Sequence, residues 1–161
     1  MRSRVFLAYL GLSALVIVLD QLTKSIILRQ LVQGEVLTIT PFFDLVLAFN
    51  KGAAFSFLAD HTGWQRWFFT AVALLIAPWL VFLINRHQNE RVYACALALI
   101  LGGALGNVID RFVHGAVVDF LYFHIGRYGW PAFNVADSAI TLGVVLMLIS
   151  QFQTSKKASN S

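Results

Sequence analysis

The 161-residue chain has one cysteine, Cys95, inside an apolar run, which excludes a disulfide scaffold and leaves no partner for a thiol mechanism. Charge is scarce: 12% of residues are Asp, Glu, Lys or Arg, against about 25% in soluble domains. With 58% hydrophobic residues, this excludes an intrinsically disordered chain and argues against an ordinary soluble globule. The net charge of +4 has no basic patch behind it, because the Lys and Arg residues are dispersed, so no nucleic-acid partner is expected. His61, His87, His114 and His124 lack metal-ligand spacing, and neither a metal nor a cofactor is expected. No internal repeat marks a duplicated transporter. The class that remains is a small polytopic membrane protein.

Four segments are apolar enough to span a bilayer core about 30 Å thick, which takes roughly 20 helical residues. They run over about 5–28, 67–84, 92–109 and 134–152, leaving outer loops at 29–66 and 110–133 and one membrane-embedded domain over 1–161. The polar tail 154–161 is expected to be disordered. Arg2 and Arg4 before the first segment are also compatible with a cleaved leader. However, Asp20-Gln21-Leu22-Thr23-Lys24 follows where small cleavage-site residues belong, which favours a retained anchor helix. Residues 1–4, 85–91 and 154–161 hold six Lys/Arg in 19 positions, whereas 29–65 and 111–133 hold four in 60. The positive-inside rule then puts both termini in the cytoplasm and the long loops outside.

In the first outer loop, residues 36–49 are rich in Val, Ile, Thr and Phe, and Pro41 divides them into two short strands. Asn50-Lys51-Gly52 supplies turn chemistry, and Ala53 to Ala59 is expected to form a short interfacial helix. Its aromatics suit the headgroup level. Two readings stand for this loop: a segment packed on the outer leaflet, or a cover over a site that handles lipid or an apolar peptide.

Charged residues within a span cost about 2.5–3.5 kcal/mol each, so they should be paired or functional. Given the topology, Asp20, Lys24, Asn107, Asp110, Arg111, Asn134 and Asp137 fall at one depth near the outer face. Several have a plain structural explanation. Asp20 and Lys24 form an i,i+4 pair in the favourable order. Gly102 and Gly106 have the spacing of close helix packing. Asn134 followed by Asp137 resembles a helix N-cap with an acid in the first turn. Asp119, in the apolar stretch Ala116–Leu121, and Asp137 are the two acids flanked by apolar residues at the same depth. Carboxylates sharing a site cannot both ionise readily, and such a pair can activate water and protonate a leaving amine. Spacing alone leaves this dyad and scattered structural acids both open.

At these residues the chain closely resembles the bacterial lipoprotein signal peptidases (signal peptidase II), a family of membrane aspartic peptidases. The resemblance rests on five ordered blocks: Asp20 to Lys24, Asn50 to Phe55, Gly102 to Arg111, Val118-Asp119-Phe120, and Phe133 to Ser138. It implies an all-α membrane protein of four transmembrane helices with a small extracytoplasmic β-cradle and a short helix. It further implies Asp119 and Asp137 as the catalytic dyad. Asn50 and Arg111 are then substrate-backbone contacts, Asn107 and Asn134 frame the site, Asp20 and Lys24 are polar partners nearby, and Asp110 is structural. The implied substrates are diacylglyceryl-modified prolipoproteins, cut just before the lipidated cysteine by an enzyme of the inner membrane. Membrane lipids are the other contacts, and a monomer is expected. A proton-coupled transporter and a non-catalytic adaptor are the competing classes. The first would spread its acids across the membrane depth, and the second would tolerate loss of both Asp119 and Asp137.

Overall fold

A computed structural model describes residues 2–52 and 63–159. In chain order the elements are α1 (Arg2–Gln30), β1 (Val36–Thr40), β2 (Phe43–Asn50), α2 (Trp64–Arg86), α3 (Arg91–Val113), β3 (Val117–Ile125), β4 (Tyr128–Gly129) and α4 (Val135–Ser159). All four helices are long and apolar enough to cross a membrane. Three of them contain the expected spans and run a few residues beyond each end, because backbone hydrogen bonding continues into the polar flanks. The fourth, α4, starts one residue later than expected and continues well past residue 152. The short helix expected at Ala53–Ala59 lies outside the described residues.

One expectation is corrected. The tail from Thr154 was expected to lack structure, yet α4 continues to Ser159. Helix propagation costs little once a long helix exists, and Lys, Lys and Ala at 156–158 are residue types with good helix propensity.

The central element is α3, which packs against α1, α2 and α4. Within its most apolar stretch 56% of residues are buried, against 17–22% in the other three helices, so α1, α2 and α4 turn most of their apolar surface outward. That outward surface, including Leu75, Trp79, Leu142 and Phe152, is what a lipid solvent requires. Small residues allow the helices to close on α3. A Cβ on Gly102 would lie 2.7 Å from the Ser13 carbonyl oxygen, and one on Gly106 would lie 2.8 Å from Asp20 Oδ2. The Gly102/Gly106 spacing is therefore the contact face for α1.

The four strands form one antiparallel sheet in the order β1-β2-β3-β4. The two strands expected in the first outer loop are β1 and β2. The third, β3, comes from the second loop, where the sequence reading placed only an apolar stretch. Pairing of β2 with β3 sets Ala48 opposite Asp119 and Asn50 opposite Val117, with a register shift between Leu45 and Ala48. Phe133 then bridges Leu121, its N–H donating to the Leu121 carbonyl at 3.0 Å and its carbonyl accepting from Leu121 N–H at 2.8 Å. This bridge delivers the chain to the start of α4 beside β3.

Two apolar clusters bracket the polar residues. One gathers Tyr9, Ala77, Leu80, Ile84, Leu97 and Leu101 within the bundle. The other joins Ile27 and Leu31 of α1 to Leu47, Val118 and Phe120 of the sheet. Along α1, Asp20 and Lys24 lie between the two, as Asn107 and Asp110 do on the α3-to-β3 path. The sheet thus caps the end of the bundle that holds the ionisable groups.

Candidate active site

The order of side chains follows from which groups can only donate. Lys24, on α1, is 2% exposed, and its ammonium has donors alone. It meets Asp20 Oδ2 at 2.7 Å, Asp110 Oδ2 at 2.6 Å and Asn107 Oδ1 at 3.1 Å. The last contact fixes the Asn107 amide: its oxygen faces Lys24, so its nitrogen faces away and donates to Asp137 Oδ1 at 2.7 Å.

Asn134 is fixed by the same logic. It is the N-cap of α4, its Oδ1 accepting the Asp137 N–H at 2.8 Å. Its Nδ2 therefore points the other way and donates to Asp119 Oδ1 at 2.7 Å, with longer contacts to Asn107 Oδ1 and the Val118 carbonyl, each 3.2 Å. The capping role expected from sequence holds, and the same side chain also touches Asp119. Asp20 completes the helix start from across the bundle, accepting the Ala136 N–H on Oδ1 at 2.9 Å. Two of the open N–H groups of α4 are thereby taken by side chains.

Asn50 closes an Asx turn, its Oδ1 accepting the Gly52 N–H at 2.9 Å, and its side chain also hydrogen-bonds Asp119. Gly52 has φ +97°, a left-handed conformation that glycine adopts without steric cost. Arg111 stands at the margin: its Nη1 donates to the Asn107 carbonyl at 3.3 Å and its guanidinium lies 5.6 Å from the Phe69 ring centre.

Asp119 and Asp137 both line one open cleft of about 1290 Å³. Its walls are Ala48 to Lys51 of β2 and the turn after it, Trp130 to Phe133, and one side of α4 from Asp137 to Val145. The cleft is mainly apolar, and the two carboxylates, Asn50, Lys51, Ser138 and Thr141 are the polar side chains along it. Asp119 is 2% exposed. Burial first, and the neighbouring Asp137 second, push its carboxyl up to about 7, against the hydrogen bonds from Asn50 and Asn134 and the charge of Lys24. Among the described residues no cluster of His, Cys, Asp and Glu is arranged to hold a metal ion.

All eight residues singled out in the sequence meet here. Asp20, Lys24, Asn50, Asn107, Asn134, Asp119 and Asp137 are joined directly, and Arg111 joins through the Asn107 backbone. Two more participants carried weaker signals. Gln21 donates to Asp110 Oδ1 at 2.8 Å and to Asp20 Oδ2 and the Gly106 carbonyl at 3.2 Å each. Its signal was a polar residue next to Asp20 inside a span. Asp110 accepts the Val118 N–H at 3.0 Å besides its contact with Lys24. Its signal was the i, i+3 spacing from Asn107, which puts both on one side of α3.

Comparison with known proteins bears on the family and the fold. The family profile described as "Signal peptidase (SPase) II" matches residues 12–153. The lipoprotein signal peptidase of Azoarcus sp. (strain BH72) is 63% identical over 150 residues, covering 93% of this chain and 85% of that protein. That of Ralstonia nicotianae (strain ATCC BAA-1114 / GMI1000) is 57% identical over 145 residues, covering 90% and 84%. A bacterial membrane enzyme solved by the in meso method at 2.3 Å superposes with a TM-score of 0.82 at 32% identity, covering 93% of this chain and 90% of its own. With its four membrane-length helices and capping sheet, the chain belongs to the signal peptidase II family.

Proposed function

We propose that this protein is an aspartyl endopeptidase that removes the signal peptide from diacylglyceryl-modified prolipoproteins, cutting just before the lipidated cysteine. The observation that carries the reading is that Asp119 and Asp137 line one cleft, each held by an asparagine, with the two asparagines bonded to each other. The relatives named lipoprotein signal peptidase supply the substrate class.

The roles of the carboxylates follow from their surroundings. Asp119, held protonated up to about neutrality, is the acid. Asp137, the other carboxylate of the cleft, placed in the first turn of α4 and held by Asn107, serves as the base. In the forward step Asp137 takes a proton from water as its oxygen attacks the scissile carbonyl carbon, and Asp119 protonates the carbonyl oxygen. In the second step the C–N bond breaks as Asp137 gives its proton to the departing amine of the lipidated cysteine, while one hydroxyl of the tetrahedral intermediate returns a proton to Asp119 and becomes the carbonyl of the new carboxyl group. The apolar wall of α4 at Leu142 and Val145 suits an apolar substrate segment alongside the scissile bond.

The Lys/Arg asymmetry supports an enzyme of the bacterial cytoplasmic membrane with both termini in the cytoplasm and the cleft near the outer face. The decisive experiment is cleavage of a diacylglyceryl-cysteine precursor by Asp119→Asn and Asp137→Asn proteins in lipid. Each should insert normally and lose activity by ~10²–10⁴-fold or more. Normal turnover by either variant overturns the dyad.

A further inference from the structure

The peptide groups on either side of Val118 pose an accounting question. Val118 is fully buried, so its N–H and C=O must find partners inside the protein. Both partners are side chains, and they come from different helices. Asp110 of α3 accepts the N–H at 3.0 Å, and Asn134, the cap of α4, donates to the carbonyl at 3.2 Å. The residue that follows is Asp119.

The sheet alone is a poor guide at this point. The β2–β3 pairing shifts register between Leu45 and Ala48, and Ala48 is the residue opposite Asp119. Side chains alternate along a strand, so a slip of one residue would turn Asp119 away from the cleft and present Val118 or Phe120 in its place. The ladder is locally disrupted at such an irregularity, so bonds from outside the sheet also bear on where the strand sits.

We propose that Asp110 is a positioning residue that fixes the register of β3 through the Val118 N–H and so aims Asp119 into the cleft. This rests on the dyad reading above. It differs from a purely structural role for Asp110, in which the carboxylate only neutralises Lys24. Asp110 is suited to the task because it is itself held: Lys24 at 2.6 Å and Gln21 at 2.8 Å leave its carboxylate little freedom. Its loss also leaves the Asp20–Lys24 pair intact and electrically balanced.

The test uses the full-length protein in lipid, with kcat and KM measured per folded molecule on a diacylglyceryl-cysteine precursor. Asp110→Ala should lower kcat at least tenfold with KM within about twofold. Asp110→Asn, which keeps an oxygen for the Val118 N–H, should recover most of that loss. An amide-to-ester replacement at Val118, made by incorporating the α-hydroxy analogue of valine, removes only the donor and leaves every ion pair in place. It should reproduce the kcat loss of Asp110→Ala, and it decides the matter if Asp110→Ala does not accumulate. A wild-type kcat for the ester protein overturns the proposal, as does an Asp110→Asn protein as impaired as Asp110→Ala. If Asp119→Asn itself keeps normal activity, the dyad reading has failed instead.

Discussion

Asn107 and Asn134 are hydrogen-bonded to each other at 3.2 Å, and each donates at 2.7 Å to a different aspartate. Asparagine can do this because its amide offers a donor and an acceptor on one rigid plane. Asn134 should therefore report on Asp119 directly. Asn134→Ala removes a hydrogen bond that favours the ionised form of Asp119, so the Asp119 carboxyl should rise further above its present value of about 7. The alkaline limb of the pH–rate profile should move to higher pH while the maximal rate falls at least tenfold. The lost cap should also lower stability by about 1 kcal/mol. An alkaline limb that stays in place would separate Asn134 from Asp119.

The wild-type profile should be bell-shaped. Activity needs one protonated and one ionised carboxylate, so kcat should fall as pH rises through about 7 and Asp119 loses its proton. The limiting slope on that side is about tenfold per pH unit. A rate flat up to pH 9 would remove Asp119 as the acid.

Stability should follow the same proton with a definite sign. The folded state holds the Asp119 proton to about 7, whereas an unfolded Asp releases it near 3.8. The folded protein thus binds more protons between these values and loses stability as pH rises through that window. Asp119→Asn, which mimics the protonated form, should then be more stable than wild type at pH 8, on the order of 1–3 kcal/mol. The difference should shrink towards zero near pH 4. Thermal unfolding in detergent at the two pH values measures it.

Lys24→Met should be among the most damaging substitutions in the chain. It strands Asp20 and Asp110, both buried, without their common cation. Breaking a buried ion pair costs about 3–5 kcal/mol. It also frees the Asn107 amide to rotate, so any folded Lys24→Met protein should lose kcat more than substrate affinity. Thermal unfolding and single-turnover cleavage give the two readouts.

The glycines of α1 and α3 should behave in opposite ways. Gly106→Ala places a methyl 2.8 Å from Asp20 Oδ2 and 3.4 Å from the Ala136 methyl, and should cost about 1–3 kcal/mol. Gly11→Ala meets nothing within 4 Å and should be neutral or slightly stabilising. Equal melting shifts for the two would argue against tight α1–α3 contact.

The spans were legible because lipid demands long uninterrupted apolar helices, and the acids stood out because so few charges occur there. The depth argument for Asp20, Lys24, Asn107 and Asp137 needed only helix direction. The part played by β3 was hidden, because Val117–Ile125 pairs with β2, more than sixty residues earlier in the chain. No local pattern announces a partner that distant. The role of Asp110 was hidden for another reason: its acceptor work is done on a backbone N–H, which every residue has and no sequence pattern marks. The length of α4 was missed because residues 154–161 are polar, and polarity alone does not end a helix.

The Asp20–Lys24 contact also bears on how the protein is made. The two charges sit one turn apart on the same helix, 2.7 Å from each other. Helix α1 thus enters the bilayer with its own counter-ion and needs no later segment to make insertion tolerable. When α3 arrives, Asp110 joins a cation already committed to the membrane, and the pair becomes a three-way knot. Biogenesis can proceed in the order of synthesis, with the first helix waiting as a neutral dock for the third.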